Sequence, residues 1–130
     1  MQKEYNITIN NNEGNYAGYI FGYVTDEIHY LENFLEENGY GDIKTSEYNN
    51  SKYGIVRNLF VEEPYRNNGF GSELMDDLMY KFREGHCVDY IFLICDGLQG
   101  NDFGLQKWYE GWGFEVLEDR DKCPLMISYC

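Results

Sequence analysis

Leu59-Phe60-Val61-Glu62-Glu63-Pro64-Tyr65-Arg66-Asn67-Asn68-Gly69-Phe70-Gly71-Ser72-Glu73-Leu74 reads as a strand end, a turn and a helix start in immediate succession. Residues 54–61 are rich in branched and aromatic side chains, and Pro64, which has no backbone N–H to give, stops the strand. Beyond the turn, Leu74, Met75, Leu78, Met79 and Phe82 recur at helical spacing with acids opposite them, which predicts a helix over 69–84 closed by Gly85. A helix start carries several N–H groups without carbonyl partners and the positive end of the peptide dipoles. Gly69 and Gly71 take side chains out of the way, so these amides can come close to an anion. Arg66 adds a mobile positive charge. The parts suit a diphosphate, although two glycines in a strand-to-helix turn also occur with no ligand at all. There is no third glycine for a dinucleotide fingerprint and no G-x-x-x-x-G-K-[ST] for a nucleoside triphosphate.

Working outward, Tyr90-Ile91-Phe92-Leu93-Ile94-Cys95 is a continuous apolar run, as expected of a strand covered on both faces. Strand, helix and buried strand make a βαβ unit, hence a parallel pair. Residues 5–9 and 16–24 alternate around the turn Asn10-Asn11-Asn12-Glu13-Gly14 and read as a hairpin. Asp26 is placed to cap a helix carrying Ile28, Leu31, Phe34 and Leu35, which Asn38-Gly39 ends. Residues 40–53 show no period and read as a mostly irregular, mobile loop. Residues 103–112 suit a short helix, and 114–117 and 125–129 two last strands. The expectation is one α/β domain over residues 1–130, built on a mixed sheet in the order ββαβαβαββ.

Composition narrows the partners. Of 130 residues, 43% are hydrophobic and 18% aromatic, sufficient for one core. Ten Lys and Arg against 23 Asp and Glu give a net charge of -13. Such a field repels phosphate backbones, so nucleic acid is not an expected partner. It favours cations: polyamines, aminoglycoside-like amines, lysine-rich peptides or basic proteins. Solubility alone would also account for it. Cys87, Cys95, Cys123 and Cys130 form no C-x-x-C pair and stand at no zinc-type spacing from His29 or His86. The first residues contain no leader-like apolar run, and no stretch is apolar for long enough to span a membrane. Cytoplasmic location, free thiols and no membrane partner are the expectation.

The arrangement Leu59-Phe60-Val61-x-x-Pro64-Tyr65-Arg66-x-x-Gly69-Phe70-Gly71-Ser72-x-Leu74 resembles the acetyl-CoA-binding motif of the GNAT (Gcn5-related N-acetyltransferase) superfamily. Downstream, Trp108-Tyr109-Glu110-Gly111-Trp112-Gly113-Phe114 looks like that superfamily's aromatic-Tyr-x-x-x-Gly-Phe segment. The resemblance implies a GNAT-like acyl-CoA N-acyltransferase fold, a central mixed sheet flanked by helices, and transfer of acetyl from acetyl-CoA to a primary amine. It also implies site residues. Leu59, Phe60 and Val61 would pair with the pantetheine arm in a gap between diverging strands. The amides of Arg66, Asn67, Asn68, Gly69, Phe70, Gly71 and Ser72 would hold the pyrophosphate. Members often start the last helix with an Asn in contact with CoA; Asn101 and Asp102 compete for that position here, and the spacing to Tyr109 favours Asp102. Tyr109 would protonate the departing thiolate, a task suited to a weak acid such as phenol.

Members often place a Glu on or near the strand before the loop as a base, whereas Arg57 and Asn58 occupy those positions here. Glu62, Glu63, Asp26 and Glu27 remain candidates acting through a water. The superfamily usually begins with a strand and two helices that wall the acceptor site, and this sequence starts at the hairpin. The expectation is an open, acidic acceptor cleft that admits a lysine or amino terminus of a protein, or one walled by a second subunit in a homodimer. A small-molecule amine is the other acceptor class. Two further readings stand beside the enzyme: a non-catalytic acidic module of the same fold occupying a basic partner surface, and, more weakly, a nucleotide-binding regulator.

Overall fold

A computed structural model describes residues 2–95, 103–120 and 123–130. The elements follow the expected order: β1 (Gln2–Asn10), β2 (Tyr16–Thr25), α1 (Ile28–Glu37), β3 (Tyr53–Val61), α2 (Phe70–Tyr80), β4 (Tyr90–Ile94), α3 (Phe103–Glu110), β5 (Glu115–Glu118) and β6 (Leu125–Tyr129). They form one six-stranded sheet in the order β1-β2-β3-β4-β6-β5. Only β3 and β4 run parallel; the remaining neighbours are antiparallel. Among the described residues no helix is long and apolar enough to cross a membrane.

Side-chain alternation along the strands builds a core on each face. Ile20, Val24, Val56, Ile91, Leu93 and Met126 point to one face, where α2 supplies Leu74, Met75, Leu78 and Met79. Tyr23, Tyr53, Ile55, Phe92, Leu125 and Ile127 point to the other, where α1 supplies Leu31, Phe34 and Leu35. β4 lies between the two clusters, which is why its sequence is apolar throughout. α2 does not stop at Gly85 as a regular helix. It ends at Tyr80 and continues as a π-turn over Lys81–Gly85 that turns Phe82 into the sheet.

That ring sits where β2 and β3 carry glycine. A Cβ on Gly54 would lie 2.5 Å from the Phe82 ring, and one on Gly22 would lie 2.5 Å from the Ile55 carbonyl and 3.2 Å from Phe82. The two glycines therefore seat Phe82 in the middle of the sheet. Gly54→Val should overpack this contact and cost about 1–3 kcal/mol, read as a lower midpoint of thermal unfolding. An unchanged midpoint would mean that Phe82 can be displaced freely.

Two sequence expectations need correction. The N-cap of α1 is Glu27 rather than Asp26, and no side chain caps that helix. Thr25 takes the local role instead, its Oγ1 accepting the Glu27 N–H at 3.1 Å. The segment 40–53, read as a mobile loop, is pinned from within. Tyr40 and Tyr48 are fully buried, and Ser46–Tyr48 forms a turn of 3-10 helix. The Tyr40 hydroxyl donates to the Cys123 carbonyl at 2.6 Å, and the Tyr53 hydroxyl donates to that of Tyr48. Arg120 lies 5.0 Å over the Tyr40 ring and grips Asp42 with Nη1 and Nη2, at 2.6 and 3.0 Å. That grip holds the Asp42 carboxyl below its usual range, and burial pushes the Tyr48 phenol up to about 12. Periodicity cannot reveal such a segment, because its order comes from partners far away in the sequence.

Candidate functional site

The site begins where the parallel pair comes apart. β3 and β4 are in register from Tyr53↔Tyr90 to Val56↔Leu93 and no further. Past Val56, β3 stays bonded to β2 alone, while β4 ends one residue later at Ile94. The parting coincides with a bulge. Gly22 pairs with Val56 and Phe21 with Asn58, so Arg57 is an extra residue in β3. A bulge bends its strand and re-aims the residues beyond it.

Past the bulge the ladder fixes which backbone groups face the gap. The Glu62 amide donates to the Ala17 carbonyl at 2.7 Å. By antiparallel alternation, the N–H and C=O of Leu59 and Val61 then turn away from β2 and into the gap, while those of Phe60 point to β2. The Val61 carbonyl accordingly accepts a bond from Arg66 Nε at 2.8 Å.

The turn after β3 supplies the second wall. Pro64 and its neighbours form a 3-10 turn, Asn67 has φ 67°, and Gly69, at φ 85°, is the N-cap of α2. The first recurring helical bond is Glu73 N–H to the Gly69 carbonyl, 3.1 Å. The amides of Phe70, Gly71 and Ser72 find no backbone carbonyl among the described residues. A Cβ on Gly71 would project into the cleft and meet only Val61 Cγ2 at 3.8 Å and Trp108 Cζ2 at 4.0 Å. The third wall is α3. Tyr109 is buried, with its ring edge-on to Trp108 at 5.2 Å and to Phe114 at 6.2 Å. The turn behind it is tied down by Arg83, whose Nη2 donates to the Trp112 carbonyl and the Ser128 hydroxyl, each at 3.0 Å.

Together these walls enclose a cleft of about 590 Å³, within the usual size of ligand sites. It brings together the expected Leu59, Phe60, Val61 and Arg66 with Asn67, Gly69, Gly71, Ser72 and Tyr109. Asn68 and Phe70 are not among its lining residues; the Phe70 ring turns aside onto Tyr65, 6.2 Å away. Asp102 lies outside the described residues. Arg66 differs from expectation as well: its guanidinium is spent on the strand edge, bonded to Val61 and 5.8 Å from the Phe60 ring centre. Sequence reasoning passed over Tyr19, Arg57, Asn58 and Leu105, which also line the cleft. The bulge and the parting of β3 from β4 bring in Arg57 and Asn58, and neither leaves a periodic signal. Among the described residues, the cleft is not lined by acids as expected. The described lining holds Arg57 and Arg66 and no carboxylate, because the acids ride on outward helix faces and turns.

The sequence matches the model of the acetyltransferase (GNAT) domain over residues 7–116. The protein belongs to the GNAT acetyltransferase family, whose acyl donor is acetyl-CoA. Its fold is shared with an acetyltransferase from Bacillus cereus at TM-score 0.62 and 18% identity, over 99% of this chain and 74% of that one. A chain of the NatC complex bound to Gag peptide and CoA aligns at TM-score 0.65 and 18% identity, over 98% of this chain and 70% of that one. Arabidopsis thaliana Naa50, in complex with the bisubstrate analogue CoA-Ac-MVNAL, aligns at 0.60 and 18%, over 90% and 68%. No curated protein matches this chain by sequence.

The described residues fit that donor on their own geometry. The gap offers an unpaired strand edge for an amide-bearing arm, and the start of α2 offers partnerless amides for a diphosphate. At Gly71, any side chain would fill the space between them.

Proposed function

We propose that this protein is an N-acetyltransferase that moves acetyl from acetyl-CoA to a primary amine, by direct attack of the amine and with Tyr109 as general acid. The supporting observation is that one gap in the sheet receives both the partnerless amides of the α2 start and the Tyr109 side chain. Leu59 and Val61 hold the pantetheine arm like an added strand. The amides of residues 67–72 hold the pyrophosphate, without the expected Arg66 amide, which donates to the Glu63 carbonyl at 3.3 Å, and with help from the positive end of α2. The bound thioester supplies an activated acyl group. The Val61 N–H, facing the gap, stabilises the carbonyl oxygen as it gains charge. As the C–N bond forms and the C–S bond breaks, Tyr109 gives its proton to the leaving sulfur, and the proton lost by the attacking amine passes to solvent water and so back to the phenolate.

The acceptor is an amine of a peptide or protein, a lysine or an amino terminus, or a small molecule. The peptide class is supported by the Gag peptide and the CoA-Ac-MVNAL analogue held by the two structural neighbours. We place the protein in the cytoplasm, in keeping with four cysteines free of disulfides, two of them exposed. Intact mass spectrometry with acetyl-CoA and a panel of peptides, basic proteins and polyamines tests the activity. A gain of one acetyl group on an acceptor supports it; no gain on any of them, with acetyl-CoA bound, would favour a second reading. That reading is an acidic module of the same fold occupying a basic partner surface, and the net charge of -13 speaks for it.

A further inference from the structure

The cleft passes through the sheet, and its far side has its own chemistry. Leu59 and Val61 pack toward the α2 face, so alternation turns Asn58 and Phe60 to the opposite face. There the Phe60 ring meets that of Tyr19, with centroids 6.2 Å apart, and both residues line the cleft. Among the described lining residues, the charged side chain at this end is Arg57, the extra residue of the bulge. Arg66, the other cation of the described lining, is occupied by the Val61 carbonyl on the side of the α2 turn.

Arg57 neighbours the Tyr23 phenol, whose pKa burial raises and Arg57 pulls part of the way back down, and the carboxylate that ends α1. Its Nη2 lies 3.2 Å from an oxygen of Glu37, the last residue of α1, and the two side chains are 36% and 55% exposed. Half-exposed pairs of this kind are weak and are readily exchanged for another carboxylate. A guanidinium presents a planar fork that a carboxylate can meet with two parallel bonds. The protein's negative field opposes an anion at long range, yet it is screened over about 8 Å at physiological ionic strength. At contact range, the charge that the described lining offers at this end is the Arg57 guanidinium, balanced by Glu37 until another carboxylate takes its place.

We propose that the amine acceptor carries a carboxylate near its amine and that Arg57 reads it, the acceptor displacing Glu37 from the guanidinium. The inference rests on the acetyl-transfer reading and refines it: Tyr19, Asn58 and Phe60 line the entry, and Arg57 sets specificity without touching the reacting atoms.

The test measures kcat/KM on matched acceptors. One arm is the peptide pair Ala-Asp-Gly-Phe-amide and Ala-Asn-Gly-Phe-amide; the other is free glutamate against free glutamine. In at least one arm the acid should be preferred by about tenfold or more, and the arm that shows it tells peptide from free metabolite. Arg57→Gln should bring the ratio to near one. Glu37→Gln should move it the other way, lowering KM for the acid by removing the competing carboxylate. A merely structural ion pair would make both variants lose activity alike. Equal turnover of acid and amide by the wild type overturns the inference and leaves acetyl transfer standing. So does acetyl-CoA binding, seen by calorimetry, with none of the four acceptors modified. Absence of acetyl-CoA binding overturns the parent reading instead.

Discussion

Gly71→Glu should abolish acetyl-CoA binding while leaving the fold intact. The position has room: a Cβ there meets nothing closer than 3.8 Å, so the substitution does not strain the core. Its side chain has only the cleft to enter, between Val61 and Trp108. A carboxylate then stands where the diphosphate has to sit, and two unit charges about 4 Å apart repel by roughly 1–4 kcal/mol at the effective dielectric of a protein surface. Dissociation constants should rise by about 5- to 1000-fold from charge alone, before any steric loss is added. Calorimetry measures the binding, and circular dichroism reports the fold. The acidic-module reading gives a different outcome: binding to a basic partner would survive this substitution unchanged.

Tyr109→Phe should lower kcat by about two to four orders of magnitude, the usual contribution of a positioned general acid, with affinity for CoA retained. The phenyl ring would keep its edge-on packing against Trp108 and Phe114, so the α3 wall stays in place and only the hydroxyl is lost. Steady-state turnover and calorimetry on the same variant separate the two effects. Full kcat in Tyr109→Phe would remove this residue from the chemistry. Loss of binding together with kcat would make it a structural residue of the cleft.

Most of the architecture can be read from the chain because its strands and helices announce themselves by period. α2 shows a 3.6-residue recurrence of Leu74, Met75, Leu78 and Met79, and β4 is apolar without a break since both of its faces are covered. The diphosphate cradle is legible for a local reason as well: a strand, a short turn and a helix that opens on two glycines follow one another within one stretch of sequence. The features that escape the sequence depend on distant contacts. Tyr40 finds its acceptor 83 residues away at Cys123, so a stretch without any period is nevertheless ordered. The bulge at Arg57 is a matter of register between β2 and β3, and register carries no signature within β3 itself. Arg66 bonds a carbonyl exposed by the parting of β3 and β4, an event that its own turn does not encode. The sign of the charge in the cleft is hidden for a related reason. A net count of -13 sums over the whole surface, whereas the described lining samples two arginines.

The central claim is that coenzyme A binds along the open edge of β3 with its diphosphate on the amides that begin α2. Titrating CoA into nitrogen-15-labelled protein and tracking the backbone amide resonances tests it directly. The shifts should concentrate at Gly69, Gly71 and Ser72 and at Leu59 and Val61, with the β1 strand unmoved; pantetheine, which lacks the diphosphate, should shift only the β3 pair. Saturating CoA that leaves Gly69 and Gly71 unshifted, or that perturbs only residues outside the cleft, would contradict the account.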